Sequence, residues 1–206
     1  MEIKSKNFCI VLSSPSGAGK TSISKKILIN DKSIALSISC TTRPRRVGEQ
    51  NKKDYIFMNN LNFEKIKKEK AFLESAKVFG HYYGTLKKTV EDFFKKKKDV
   101  LFDIDWQGYQ QLKQSGQEVV GIFILPPSKK ELIHRLEKRG RDTRIEMKKR
   151  MNLVQDEISH FPEYDYVVIN KNIDICVSQI LSIISAERLK RSRLSNLTKF
   201  VDKFRY

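Results

Sequence analysis

Ser14-Pro15-Ser16-Gly17-Ala18-Gly19-Lys20-Thr21 is the stretch that decides the fold. It follows the apolar run at 8–12, which is typical of a strand buried on both faces, and it opens a helix predicted over 20–28. Gly17 and Gly19 let the backbone curl so that several N–H groups point at one anion, and the helix adds its positive end. The strand–loop–helix context therefore predicts a site for the phosphates of a nucleotide.

One position departs from the usual pattern of such loops. Ser14 stands where a first glycine is expected. A left-handed backbone there would cost serine on the order of 1–3 kcal/mol of strain, whereas an extended backbone would cost little. The Gly-x-Gly-Lys-Thr portion is intact, so Lys20 is expected to reach the β- and γ-phosphates and the Thr21 hydroxyl to bind Mg²⁺.

Beyond this loop, predicted strands and helices alternate, which indicates an α/β fold: a P-loop NTPase-type parallel sheet flanked by helices. Further strands are predicted at 34–39, 100–104, 119–125 and 166–169. Helices are predicted at 63–70, at 90–97, after Ser128, at 144–159 and from about 173. We expect one domain over 6–186, with its core in 6–38 and 99–186. Residues 39–88 break the alternation and form an insert at the carboxyl edge of the sheet, where α/β proteins bind ligands.

The 206 residues carry a net charge of +17. Such a charge suits either a nucleic acid or small polyanionic substrates, which a positive field attracts. The lysine run at 95–98 has no interleaved aromatic residues, which a platform for single strands would need, so nucleic acid is not favoured as the main partner. Residues 187–206 form a basic C-terminal extension, which we expect to be an exposed helix or tail without chemistry of its own.

Cysteine spacing and hydropathy indicate the compartment. Cys9, Cys40 and Cys176 lack metal-ligand or redox spacing, which favours small buried residues in a reducing environment. No apolar run approaches the roughly 20 residues of a membrane-spanning helix, and residues 1–8 have no apolar signal-peptide core. We therefore expect a cytoplasmic protein without a membrane partner, and the sequence leaves a homo-oligomer open.

The insert predicts what accepts the phosphoryl group. Arg43, Arg45 and Arg46 lie within four positions, and Tyr55 follows. Arginine is suited to bidentate binding of a phosphate dianion, and tyrosine hydroxyls can complete the oxygen shell. Taken alone, the cluster is also compatible with a solvated basic loop.

Two acids favour guanine as the base of the acceptor. Glu74 lies in an apolar stretch, and Asp105 follows the predicted strand at 100–104. Guanine offers adjacent N1–H and N2–H donors that a carboxylate accepts together, whereas adenine would leave buried acceptors unpaired. A pocket with these acids predicts a guanine nucleotide.

With these blocks in place, the sequence resembles bacterial guanylate kinases over roughly 6–186. The resemblance rests on the phosphate loop together with Ser-x-Thr-Thr-Arg-x-x-Arg from Ser39 and Tyr-Tyr-Gly-Thr from Tyr82. It implies an ATP:GMP phosphotransferase of purine nucleotide metabolism and GMP recycling, with Mg²⁺ as cofactor. The residues that it assigns to GMP are Ser39, Arg43, Arg46, Tyr55, Glu74, Tyr83, Gly84, Thr85, Asp103 and Asp105.

The resemblance also implies a lid at about 135–150 that closes on ATP. Arg135, Arg139 and Asn170 join the eight residues of the loop as ATP-binding residues. The residues assigned to catalysis are Lys20, Arg43, Arg46, Arg139 and Arg150, which neutralise and position phosphates because the acceptor oxygen of GMP needs no strong base. Asp103 joins Thr21 as a magnesium residue, directly or through water. Lys171 stands where the family has an acid, which predicts a looser preference for the donor base.

Parts of the sequence are also compatible with two functions other than that of an enzyme. A non-catalytic guanylate-kinase-like binding module would keep the fold, but such modules typically lack an intact phosphate loop. RNA binding by the basic extension would make the protein a nucleic-acid partner.

Overall fold

The computed structural model describes residues 2–138 and 154–205. The strands are β1 (Lys4–Ser5), β2 (Cys9–Ser13), β3 (Ile34–Leu36), β4 (Cys40–Thr41), β5 (Ile56–Phe57), β6 (Phe72–Val78), β7 (His81–Leu86), β8 (Asp99–Asp103), β9 (Val119–Leu125), β10 (Tyr166–Ile169) and β11 (Leu194–Ser195). The α-helices are α1 (Lys20–Asn30), α2 (Asn60–Lys68), α3 (Lys87–Lys95), α4 (Trp106–Gln114), α5 (Lys129–Lys138), the described part of α6 (154–159), α7 (Ile173–Arg188) and α8 (Leu197–Val201).

The central sheet has five strands in the order β10-β9-β2-β8-β3, and every pair in it is parallel. All five residues of β2 are buried. Alternate residues of this strand face opposite sides: Ile10 packs in a cluster with α1 and α7, and Val11 packs in a second cluster with α4. Helices therefore cover both faces, which is why the sequence of this strand is continuously apolar.

The insert folds around a second, four-stranded sheet in the order β5-β4-β7-β6. Only β4 and β5 pair in parallel. Its own small core is built on Cys40, Phe63 and Phe72, and the rings of Phe63 and Phe72 are stacked. The insert thus has a core separate from the two clusters of the central sheet.

Several predicted boundaries shift in the structure. The predicted helices at 63–70 and 90–97 each begin three residues earlier, at Asn60 and Lys87. For α2 the reason is an N-cap, because the Asn59 carboxamide oxygen accepts the N–H of Asn62 at 2.8 Å. The strand predicted over 34–39 ends at Leu36. Of the helix predicted at 144–159, residues 144–153 lie outside the described residues.

The C-terminal extension is only in part the exposed helix or tail that the charge pattern predicted: the short helix α8 has no buried residue, but the segment before it is tied to the domain. Strand β11 pairs with β1, and the Arg193 guanidinium is buried in an ion pair with Glu187. Glu187 also accepts the hydroxyl of Tyr166 at 2.6 Å, and Arg193 lies over the ring of Phe8. Buried charges are retained where they are paired and hydrogen-bonded, so one arginine of a basic and mostly exposed segment can still be buried.

The three cysteines are all buried and free. Burial raises the pKa of Cys9 to about 12 and the pKa of Cys176 to about 11. These thiols are small core side chains, in agreement with the sequence analysis. In the described part of the chain, no helix has the length and apolar character needed to cross a membrane.

Candidate active site

The phosphate loop joins the end of β2 to α1 and depends on two glycines. Gly17 and Gly19 have φ of 95° and 102°, a region that side chains rarely adopt. A Cβ on Gly19 would lie 2.6 Å from the Asn170 amide nitrogen, which donates to the carbonyl of Ala18 at 2.7 Å. Both conformation and close packing therefore require glycine here.

Ser14 is not at a left-handed position. The described non-glycine residues with positive φ are Lys52, Lys70, Phe79, Lys97 and Asn196. Of the two backbones considered for Ser14, the strained left-handed one is therefore absent. Serine in place of the first glycine leaves the shape of the loop intact, with Pro15 buried and the side chains of Ser14 and Ser16 partly exposed.

Lys20 lies where the carboxyl ends of β2 and β8 meet. Its ammonium group is 2.8 Å from Asp103 Oδ1 and donates to the carbonyl of Ile104 at 3.0 Å. About a fifth of the Lys20 side chain and a quarter of the Asp103 side chain are exposed. The lysine is therefore held over the loop by groups of the neighbouring strand, while Thr21 is exposed in the first turn of α1.

Arg135 and Asn170 border the loop from two other elements. Arg135, on α5, forms an ion pair with Glu131 at 2.7 Å and donates to the carbonyls of Ala18 and Asn170. Asn170, directly after β10, is 5 % exposed. Lys171 is exposed beside it. Arg139 and Arg150 of the expected lid lie outside the described residues.

On the insert, Arg43 is 9 % exposed and is held by Glu49, whose carboxylate accepts from it at 2.7 Å. Glu49 also accepts the backbone N–H of Arg46, whose side chain is exposed. The guanidinium of Arg43 lies over the ring of Tyr55, and Tyr55 meets Tyr83 edge to face at 5.9 Å. The structure thus brings Arg43, Tyr55 and Tyr83 together, and Arg46 is linked to them through Glu49 by its backbone.

Burial and the nearby charge of Asp103 raise the pKa of Tyr55, so this insert group lies close to the phosphate loop, and the region between the loop and the insert is called the cleft. A buried carboxylate lies at the other end of this region. Glu74, on β6, is 3 % exposed, and its partner across the strands is Thr85, which is fully buried. Among the described residues, Glu74 Oε1 and Thr85 Oγ1 have no hydrogen-bond partner other than each other. Burial, together with the nearby charge of Asp105, raises the pKa of Glu74 to about 7. A buried acceptor without a donor is costly unless something donates to it.

The other residues expected to read the base, Ser39, Gly84 and Asp105, come from separate elements. Ser39 is buried next to β4, and Gly84 pairs with both Cys40 and Ser75 in the insert sheet. Asp105 is the N-cap of α4: its Oδ1 accepts the N–H of Gly108 at 3.1 Å. Its Oδ2 accepts the side-chain amide of Gln107.

Two site residues were missed from the sequence. Glu157, on α6, accepts the backbone N–H of Ser16 at 3.0 Å, and burial raises its pKa. Glu49 accepts from the side chain of Arg43 and from the backbone N–H of Arg46. An acid three positions after Arg46 was a usable signal for Glu49, whereas nothing local in the sequence points from Glu157 to the loop.

The site also contains the single tryptophan of the chain. Trp106, the first residue of α4, stacks on His160 with ring centroids 3.7 Å apart. His160 directly follows the described part of α6. The stack therefore joins the end of α6 to the helix that Asp105 caps.

The chain was compared with models of known protein families. The family model described as guanylate kinase matches residues 6–187. The chain belongs to the guanylate kinase family. The sequence-based resemblance is confirmed, and with it the prediction of a nucleoside monophosphate kinase, a transferase that acts on ATP and GMP.

Individual guanylate kinases match nearly the whole chain. The one from Novosphingobium aromaticivorans is 50% identical over 192 residues, which are 93% of this chain and 87% of that protein. The one from Sphingopyxis alaskensis is 51% identical over 191 residues, covering 92% and 87%. A crystal structure of guanylate kinase from Anaplasma phagocytophilum superposes with a TM-score of 0.81 at 34% identity, covering 98% of this chain and 96% of that one. The predicted P-loop NTPase-type fold is therefore confirmed.

Proposed function

We propose that the cleft between the phosphate loop and the insert transfers the γ-phosphoryl group of ATP to GMP, giving ADP and GDP. The observation that carries the proposal is the buried pair of Glu74 and Thr85, whose oxygens Oε1 and Oγ1 have no hydrogen-bond partner among the described residues other than each other. Guanine presents adjacent N–H donors that such acceptors require. A phosphate loop alone would fit many nucleotide enzymes, so the acceptor end decides between them.

The acceptor phosphate is assigned to the group of Arg43, Arg46, Tyr55 and Tyr83. Glu49 at present neutralises Arg43 and accepts from the Arg46 backbone. A phosphate dianion offers the same kind of oxygen acceptors with a greater charge, and arginine binds it in a bidentate manner. The base end is assigned to Glu74, Asp105, Thr85 and Ser39, with Gly84 giving the strands room to pack.

On the donor side, Lys20 and the N–H groups of the loop bind the ATP phosphates. Lys20 now contacts Asp103 and the Ile104 carbonyl, so it is already aimed across the mouth of the loop. Reaction of two polyanions needs positioning and charge neutralisation more than a base, because the acceptor oxygen is ionised near neutral pH. Arg135, Arg139 and Arg150 are assigned to the same neutralisation from the lid region, and the last two lie outside the described residues.

Magnesium fits the residues present. The Thr21 hydroxyl and the Asp103 carboxylate are hard oxygen donors, and Mg²⁺ is usually bound by one or two protein oxygens together with substrate phosphates. When bound, the ion neutralises charge on the donor phosphates. Asp103 also holds Lys20, so the carboxylate that would hold the ion is the one that positions the lysine.

The donor base is assigned to Asn170 and its surroundings. Lys171 is exposed and brings a positive charge where the family pattern has an acid. An amine in this position cannot accept a hydrogen bond from the exocyclic amino group of adenine. We expect the ratio of kcat/KM with GTP to kcat/KM with ATP to be higher for this protein than for its Lys171→Asp variant.

A coupled assay with ATP and each of GMP, AMP, CMP and dTMP tests the function. Turnover with GMP and not with AMP is the expected result, and the reverse would overturn the assignment of the base site. The non-catalytic binding module gains nothing from the comparisons, and calorimetry showing no ATP binding would be needed to revive it. Arg193 of the extension is buried, but its other basic side chains, such as Lys199 and Lys203, are exposed. RNA binding by the extension therefore stays an alternative, which loss of RNA affinity in a variant ending near Ala186 would support.

A further inference from the structure

Strand β6, which carries Glu74, is the edge strand of the insert sheet. An edge strand has backbone N–H and C=O groups with no neighbouring strand to pair with. At Ser75, directly after Glu74, both groups are nevertheless paired, and the partner is a side chain of the central domain.

That partner is Gln111, on α4. Its carboxamide oxygen accepts the N–H of Ser75 at 2.9 Å, and its amide nitrogen donates to the carbonyl of Ser75 at 2.8 Å. The same nitrogen is 3.3 Å from the carbonyl of Gln107, one turn earlier on the helix. One primary amide thus pairs with the edge strand as a neighbouring backbone would, and both groups are partly buried.

A second contact between α4 and β6 lies one turn away. A Cβ on Gly108 would lie 2.8 Å from Glu74 Oε2, so the helix approaches the carboxylate as closely as a glycine permits. Gly108 and Gln111 are three residues apart and share one face of the helix. The first makes room for the Glu74 carboxylate, and the second holds the backbone next to it.

The same helix begins at the other acid of the base site. Asp105 caps α4 through the N–H of Gly108, so its carboxylate is fixed to the first turn. Asp105 is close enough to raise the pKa of Glu74. Helix α4 therefore links two carboxylates that come from different sheets, and the Gln111 amide is its direct hydrogen-bonded link to the strand of Glu74.

We propose that Gln111 is a positioning residue for guanine recognition, because it fixes the backbone of β6 and hence the position of Glu74 relative to Asp105. The inference rests on the proposed assignment of these two acids to the base. A carboxylate displaced from its hydrogen-bonding position would lose both donors of the guanine edge without affecting the phosphate loop.

The test compares Gln111→Met with Gln114→Met. Methionine preserves length and removes both hydrogen bonds to Ser75, while Gln114 is exposed near the end of the same helix. For Q111M we expect the KM for GMP to rise about tenfold and the KM for ATP to stay unchanged, because misplacement of a binding group affects its own substrate. Discrimination of GMP over IMP, which lacks the 2-amino group, should fall by a similar factor. Q114M should match the wild type.

A double-mutant cycle with Glu74→Gln distinguishes the positioning role of Gln111 from the proposed binding of guanine by Glu74. If Gln111 acts through Glu74, adding Q111M to E74Q should raise the KM for GMP much less than Q111M does alone. Full additivity would overturn the positioning role. An E74Q variant with wild-type GMP binding would instead overturn the proposed base site, whatever Q111M does.

Gln111→Glu serves if Q111M does not fold. It keeps the length and an acceptor for the Ser75 N–H but places a carboxylate oxygen against the Ser75 carbonyl, so the same rise in the KM for GMP is expected. A folded variant of either kind with a wild-type KM for GMP and wild-type discrimination against IMP would overturn the proposal.

Discussion

The two ends of the cleft differ in how their polar groups are satisfied. At the donor end, Lys20 is paired with Asp103, Asn170 with Ala18, and the Ser16 N–H with Glu157. At the acceptor end, Glu74 Oε1 and Thr85 Oγ1 are buried with no partner among the described residues other than each other.

The difference teaches that the two substrates meet different energetic demands. The polar groups of the phosphate loop are already paired within the protein, so the loop does not need a ligand to satisfy them. A donor nucleotide therefore has to displace these pairs or add to them. A guanine base would supply donors that the protein lacks, and its binding removes the cost of a buried unpaired acceptor. Specificity is therefore expected to reside at the acceptor end and rate at the donor end.

The largest effect should come from the donor end. Lys20→Ala removes the ammonium group over the phosphate loop, and we expect kcat to fall roughly 10²–10³-fold, as when one preorganised charge-stabilising group is lost. Binding of GMP, measured by calorimetry, should be retained. Lys25→Ala, an exposed lysine of the same helix, is the control and should behave as the wild type. A K20A enzyme with normal kcat would show that the Lys20 ammonium group does not stabilise the phosphates during transfer.

The acceptor end is tested by Glu74→Gln. The amide presents a donor to the N–H groups of guanine, so we expect the KM for GMP to rise about 10²-fold. The KM for ATP should not change, since the donor end keeps its own pairs. Loss of both affinities together would show that the two ends are not separable, contrary to the comparison.

A pH series gives a smaller effect with a defined sign. The pKa of Glu74 is raised from 4.5 to about 7, so the carboxylate is protonated as the pH falls below 7 and can no longer accept from both N–H groups. Binding of guanosine should weaken about tenfold from pH 8 to pH 6. Guanosine is used because the phosphate of GMP titrates near pH 6. The E74Q variant should show a flat profile over this range, and an equal slope in both would point to another group.

Ser14→Gly should have the smallest effect. Ser14 is not at a positive φ, so glycine relieves no strain and adds only chain entropy to the unfolded state. We expect the free energy of unfolding to drop by at most about 1 kcal/mol and the KM for ATP to stay constant. A marked stabilisation in thermal melts would show that serine is strained after all.

The donor end was largely predictable from sequence because its parts are local. Gly17, Gly19 and Lys20 lie within four residues, and the strand before them is continuously apolar. The interruption of strand–helix alternation also predicted the position of the insert. Glu74 and the arginines could be named on it from the sequence.

Contacts between distant segments could not be predicted in the same way. Glu157 reaches Ser16 across 141 positions, and Gln111 reaches Ser75 across 36. A glutamate or glutamine on a helix surface has no local signature for a partner on another element. The fate of Arg193 was misjudged for a related reason, because composition gives charge but not the buried glutamate that pairs with it.

Trp106, stacked on His160, is an intrinsic fluorophore at a defined position in the molecule. Since the chain has one indole, all tryptophan emission reports on this single point, where α4 meets the residue after α6. Any movement that parts the two rings changes the environment of the fluorophore. A substrate whose binding separates the rings would thus be detectable by intrinsic fluorescence in stopped flow, without attaching a dye.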